Sequence, residues 1–315
     1  MKIGAFIIPT GVGAEIGGYA GDASIWVREL SKKTKLIVNP NVVNAACFSG
    51  ITENMQYVEG YILDDFFKGK CGLIEKNKNK IGIIFDKSIP NDVLNIHINT
   101  MNAVKVVYGI DICGYEITQN EVGVDFFINN SGESVGNIKN LKTLKDAAES
   151  LIKRGCEALA IVCHFPEEQN DDYANGIGVD PVGGVEAIIS HYISKEFKIP
   201  CAHAPAFSDY SISTKLVNPK CAAEYITPTF LPCILLGLSQ APKPDYKLNG
   251  LTVKDLDFIV MPFDSLGCIP VLEMNKLQKN IFVIAENKTV LNVTADKLNI
   301  KCRIIKNYQE LIDTI

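Results

Sequence analysis

Short, unbroken apolar runs recur along the chain: AFII (5–8), LIV (36–38), IGIIF (81–85), ALAIVC (158–163), FIVM (258–261) and IFVIA (281–285). None alternates apolar with polar residues, which is the pattern of strands covered on both faces. Helical patterns separate several of them. Residues 141–154 place Leu141, Leu144, Ala148, Leu151 and Ile152 on one face, and Gly155 follows as a stop. Residues 183–197 form a second helix, entered through Asp180-Pro181 with proline in the first turn. Strand–helix–strand alternation with right-handed crossovers predicts an α/β fold. Its sheet is mainly parallel and three-layered, of Rossmann-like type.

Two stretches depart from this rhythm. Residues 112–138 read as strands turning at Asn129-Asn130-Ser131-Gly132, a β-hairpin that extends or caps the sheet. Residues 205–250 are proline-containing, weakly periodic and end in APKPDYKLNG, which reads as a long lid-like loop. The break near 243–250 divides the chain into a main α/β domain, 1–245, and a smaller C-terminal α/β lobe, 246–315, packed on it.

A hydrophobic fraction of 47% with 21% charged residues is that of a globular protein. The net charge of -5 offers no basic face for nucleic acid, and the Lys-containing run 68–80 is diluted with Asn as in a solvated loop. No stretch approaches the roughly 20 apolar residues of a membrane span. The chain begins directly with an apolar strand rather than a signal peptide, so the expected location is cytoplasmic and the expected environment reducing. Ten cysteines include no Cys-x-x-Cys pair. Cys156, Cys163, Cys201 and Cys233 lie in or beside apolar runs, where thiols serve as small hydrophobes.

Ligands of doubly wound sheets bind beyond the carboxyl ends of the strands. Four places there carry candidate residues. The first is the loop 9–22, with Thr10, Gly11, Gly13, Gly17, Gly18 and Asp22, where glycines permit tight turns and backbone N–H groups can hold an anion. Its spacing lies near the dinucleotide fingerprint without matching it. The next strand ends at Asn39 rather than at a ribose-binding acid, so NAD(P) is the less favoured cofactor.

The second and third places are Cys163-His164 and Cys201-Ala202-His203, each read as a strand end, with Asp180, Gly183 and Gly184 at the intervening helix start. A crossover would gather them on one edge, giving His164 and His203 as acid and base. Cys163 and Cys201 are then thiol bases or nucleophiles, Cys201 being on the same strand face as His203. Alternatively His164, His203 and Asp180, with Glu186, ligate a divalent metal. His191 reads as structural, and His97 has no assigned role. The fourth place is Asp264, Ser265, Gly267 and Cys268, with Asn287 in the loop after the next strand; both read as anion sites or helix caps.

The stretches IPTGVGAEIGGYAGDA, VEGYILDDF, GVDPVGGVEAIISH with PCAHAP, and IPVLEMNKL with ENKTVLNV span nearly the whole chain. Together they resemble an uncharacterised bacterial domain family of unknown function, common in cyanobacteria. The resemblance implies one shared architecture and carries no activity, so function rests on the residues. They point first to an enzyme of acid–base chemistry, an isomerase, racemase or lyase, acting on a small anionic metabolite. The other readings are a metal-dependent hydrolase or lyase, a nucleotide-cofactor oxidoreductase, and a non-catalytic ligand-binding protein. Neither nucleic acid nor membrane is expected as a partner; a homo-oligomer fits the same features.

Overall fold

In the strand Ile81–Phe85 every residue is buried, because helices or another strand layer cover both faces. A computed structural model describes residues 1–76, 78–166 and 171–315, and the apolar runs fall in such strands throughout. Six parallel strands form the first sheet, in the order Arg303–Ile305, Asn280–Ile284, Phe258–Pro262, Lys2–Phe6, Thr34–Val38 and Met55–Tyr57. Four more form the second, in the order Cys201–Ala206, Ala158–His164, Ile81–Phe85 and Ile112–Ile117, again all parallel. The mainly parallel α/β architecture is therefore present, with its strands shared between two sheets.

A central core contains Phe6, Ile8, Leu36 and Val38 of the first sheet side with Ile83, Phe85, Ala160 and Ala204 of the second. Helix Leu231–Ser239 lies in this core, inside the stretch expected to be a loop. It is apolar on nearly every side, so it lacks the helical stripe that marks a surface helix. The outer face of the second sheet packs on helices Leu141–Lys153 and Gly183–Phe197.

The chain crosses between the sheets twice, and the crossings pair as an antiparallel ribbon, Gly72–Ile74 with Lys243–Asp245. The break read near 243–250 is the return crossing. The residues beyond it are not a lobe apart: Phe258–Pro262 pairs directly on Lys2–Phe6, with Gly4 opposite Phe258. Sequence distance hid this, because the crossover that joins them spans most of the chain. The region 112–138 also divides. Ile112–Ile117 is a parallel edge strand of the second sheet, while Val124–Ile128 and Ser134–Ile138 make a separate hairpin lying on helix Gly183–Phe197.

Cys156 is not a free apolar thiol. A disulfide joins it to Cys113 of the edge strand, against the expectation of a wholly reduced set of cysteines. Among the described residues no helix is long and apolar enough to cross a membrane.

Candidate functional site

The glycine-rich loop leaves the end of strand Lys2–Phe6 and is pinned by its neighbour. Asn39 accepts from the Ile8 N–H at 3.0 Å through Oδ1 and donates Nδ2 to the Ile8 carbonyl at 2.7 Å, reproducing one rung of a sheet. Thr10 Oγ1 donates to Asn41 Oδ1 at 3.2 Å. Gly17 has φ +91°, and a Cβ there would fall 2.1 Å from Ile8 Cδ1, so the turn both needs glycine and leaves no room for a side chain.

Much of the loop's donor capacity is spent internally. The Gly17 N–H donates to Asp22 Oδ1 at 2.7 Å, and the Ile16 N–H to Asn287 Oδ1 at 3.0 Å. Asn287, fully buried, also donates Nδ2 to the Ile16 carbonyl and the Tyr308 hydroxyl. Asp22 and Asn287 thus fasten the loop rather than face a ligand; burial pushes the Asp22 carboxyl up to about 6. Thr10, Gly11, Gly13, Gly17 and Gly18 do border the cleft described below.

Helix Gly183–Phe197 begins without a capping bond from its own N-cap residue, Val182. Asp180 Oδ1 accepts the Val182 N–H at 3.0 Å, and the next need is met from the hairpin. Ser134 Oγ accepts the Gly184 N–H at 3.1 Å and donates to the Pro181 carbonyl at 2.7 Å, while the Ser134 N–H donates to the Gly11 carbonyl at 2.9 Å. A Cβ on Gly184 would lie 1.9 Å from the Ser134 carbonyl oxygen, so this approach requires glycine. Ser134 therefore clasps the helix start of one sheet to the glycine loop of the other, and Thr10 reaches the edge of Gly183.

Between the sheets, beyond the carboxyl ends of their strands, lies a cleft of about 1120 Å³. Its wall includes Asp180, Gly183, Glu186, His203 and Glu224. Glu224 Oε1 accepts the Ala20 N–H at 2.7 Å and the Tyr173 hydroxyl at 3.1 Å, tying the far end of the glycine loop to the segment that follows strand Ala158–His164. The Tyr19 and Tyr173 rings meet there, 4.9 Å apart. Among the described residues, Asp180, Glu186 and Glu224 pair with no lysine or arginine. Desolvation accordingly raises all three: Asp180 upward, Glu186 well above the carboxylate range, and Glu224 up to about 8. One oxygen of Glu186 has no hydrogen-bond partner among the described residues.

The two histidines do not converge. The last strand of the second sheet runs on to Ala206, so His203 is mid-strand, opposite Ile161, whereas His164 is opposite Ala206. Paired residues of parallel strands share a face, and an odd offset from 203 to 206 puts the imidazoles on opposite faces. His164 Nε2 instead meets Ser208 Oγ at 2.9 Å, and His164 is not part of the cleft wall. His203 is, with Nδ1 2.9 Å from Ser190 Oγ; burial, then neighbouring His191, pushes its pKa down to about 3.

Cys163 and Cys201 share the face of His203 but sit sealed in the outer core, where desolvation drives both thiols well above their usual range. The metal alternative loses its geometry as well: among the described residues no three His, Cys, Asp or Glu side chains are placed to hold an ion.

The fourth candidate place is structural. Asp264 Oδ1 accepts from Thr289 N–H and Oγ1, at 2.8 and 2.9 Å, binding two loops together. Ser265 is buried, Gly267 lies against Val293, and Cys268 precedes helix Ile269–Lys276 without a side-chain capping bond. None of these borders the cleft. Glu224 carried no sequence signal. Glu186 carried one: it interrupts the buried stripe Val185, Ile189, Ile193 of its helix, where an acid is costly unless it has a purpose.

Comparison with known proteins agrees with the extent of the resemblance. No solved structure matches the chain. A protein of a Synechococcus strain, named an uncharacterized lipoprotein, is 35% identical over 315 aligned positions, covering 97% of this chain and 88% of the relative. That name overturns the expectation of a cytoplasmic location, which rested on the apolar strand at the start of the sequence. The family described as "Protein of unknown function (DUF3326)" matches residues 4–315, and the chain belongs to it.

Proposed function

We propose that this family member is an enzyme of proton-transfer chemistry, of the isomerase, racemase or lyase type, acting on a small polar metabolite held between the two sheets. The carrying observation is the cleft wall itself, where carboxyl groups without basic partners among the described residues and one half-buried imidazole face a common space. Groups so perturbed cluster at reactive sites. Glu224, raised to about 8, is protonated at neutral pH and suited to donate. His203, held neutral, is suited to accept at Nε2. The acid–base pair first sought in His164 and His203 becomes His203 with a carboxylic acid.

The wall also bears on the substrate. Asp180, Glu186, Asp209 and Glu224 line it against Lys215 among the described residues. An anionic metabolite would find little countercharge there beyond Lys215 and the loop's remaining N–H groups. A neutral or amine-bearing metabolite fits better, because its donors meet a wall rich in carboxyl and carbonyl acceptors.

Native mass spectrometry of the purified protein would identify what copurifies. That compound, incubated with enzyme in D2O, should take up deuterium at carbon, and His203→Gln and Glu224→Gln should each slow the uptake at least about 100-fold, the lower range for one acid–base group. A compound that binds in the cleft without exchange or turnover would remove the enzymatic reading.

That outcome would favour a second reading, a ligand-binding protein without turnover. Two observations support it: the cleft lies between two sheets joined by only two chain crossings, Gly72–Ile74 and Lys243–Asp245, and the cyanobacterial relative is named a lipoprotein. In that case His203→Ala should still bind.

A further inference from the structure

Behind the cleft, His203 belongs to a polar chain that the acid–base reading does not use. Its Nδ1 lies 2.9 Å from Ser190 Oγ, and the same hydroxyl lies 3.3 Å from Glu59 Oε2. The Ala187 carbonyl, 3.2 Å away, is a further acceptor for that hydroxyl. Glu59 comes from the first sheet side, where it caps helix Gly60–Phe67 by accepting the Gly60 N–H at 3.1 Å. It is 5% exposed and, among the described residues, has no salt-bridge partner and no hydrogen bond at Oε1. The contact between sheets is tight: a Cβ on Gly60 would fall 1.7 Å from His191 Nε2.

We propose that Glu59 is the proton store of His203, reached through the Ser190 hydroxyl, so that a proton taken up from the cleft at Nε2 comes to rest on Glu59. The inference rests on the acid–base reading of the cleft and adds to it a residue that touches no substrate. With Glu59 ionised, the Ser190 hydroxyl donates to the carboxylate and His203 Nδ1–H donates to Ser190 Oγ, leaving the Nε2 lone pair toward the cleft. A proton arriving at Nε2 moves the Nδ1 proton to Ser190 and the Ser190 proton to Glu59. Each O–H or N–H bond broken is matched by one formed. The imidazole is neutral before and after, in opposite tautomers, and the one net change is Glu59 carboxylate to carboxylic acid.

This arrangement resolves a conflict in the site. A histidine that burial holds neutral down to about 3 is a poor base by itself, because its imidazolium is unstable there. Burial pushes Glu59 the opposite way, up to about 7, which suits it to hold and release a proton near neutrality. The other titratable groups facing the chain are Tyr57 beside Glu59, Glu186 and His191 on the Ser190 helix, and Cys201 on the His203 strand. Tyr57 and Cys201 are raised well above their usual ranges and so remain neutral.

The chain has four histidines, so selectively 15N-labelled imidazoles give a spectrum simple enough to assign by His→Gln variants. In the unliganded protein, titrated from about pH 5.5 to about 9 around the Glu59 value, the His203 nitrogens should exchange roles. Nε2 carries hydrogen at the acid end and Nδ1 at the alkaline end, with a midpoint near 7 and no imidazolium. Glu59→Gln should hold one tautomer across the range. Ser190→Ala should abolish the exchange and Ser190→Thr restore it. A wild-type His203 that keeps a single tautomer throughout, or becomes imidazolium near the ordinary 6.5, overturns the proposal even if a variant fails to fold. The measurement uses no substrate, so failure of the acid–base reading would show separately, as a ligand without turnover.

Discussion

Ser134→Ala tests how the two sheets are held around the cleft. The substitution removes one acceptor, to the Gly184 N–H at 3.1 Å, and one donor, to the Pro181 carbonyl at 2.7 Å, at a residue only 5% exposed. A neutral buried hydrogen bond contributes about 1 kcal/mol net, and an orphaned partner costs somewhat more. Losing a serine cap from a helix start costs about 1 kcal/mol by itself. The expected loss is therefore about 2.5 kcal/mol. An unfolding entropy of about 2.1 cal/mol/K per residue over 315 residues gives about 0.66 kcal/mol/K, so Tm should fall by about 4 °C. Calorimetry reads the Tm, and amide exchange in residues 180–187 should quicken more than in helix Leu141–Lys153. The backbone bond from Ser134 N–H to the Gly11 carbonyl survives, so the hairpin itself should stay in place. A Tm within about 0.5 °C of wild type, inside the scatter of ordinary surface changes, would refute the claim that Ser134 supplies the cap that Val182 lacks.

Stability should also fall as pH rises from about 6.5 to about 8, above the range in which His203, depressed to about 3, gives the opposite slope. Glu59 and Glu224 are raised in the fold, to about 7 and about 8, so in that window the folded chain binds more protons than the unfolded one. Glu224→Gln should flatten the upper part of this slope in urea titrations at stepped pH; an unchanged slope would show that Glu224 does not carry it. Iodoacetamide mapping should find partly exposed Cys47 labelled well before buried Cys163 and Cys201, and early labelling of Cys201 would contradict its placement in the core. The disulfide closes 43 residues, worth about 4 kcal/mol in the chain-entropy account. Reductant should lower Tm by about 6 °C, and a Tm indifferent to reductant would show that Cys113 and Cys156 are not bonded.

The parallel strands were legible because burial on both faces writes itself directly into sequence as unbroken apolar runs, and Ile81–Phe85 needs no context to be recognised. Helix Leu231–Ser239 was not, because a helix buried all round loses the periodicity that distinguishes it from a loop rich in apolar residues. The site followed the same division. The glycine loop, Asp180, Gly183 and His203 all border the cleft. What failed was parity. Taking Cys201–His203 for the end of a strand that continues to Ala206 put His203 level with His164, and three further residues reverse the face. The residues that line or brace the cleft come from elements that sequence distance keeps apart: Glu224 in its wall from a short helix, Ser134 behind the helix start from the hairpin, and Glu59 from the helix cap on the first-sheet side. Glu186 and Ser190 interrupt the stripe Val185, Ile189, Ile193, a signal that the reading of Glu186 as a metal ligand left unused. A buried acid kept on an apolar face at a cost of several kcal/mol when unpaired is a stronger pointer to chemistry than a histidine at a strand end, because packing alone gives no reason to retain it.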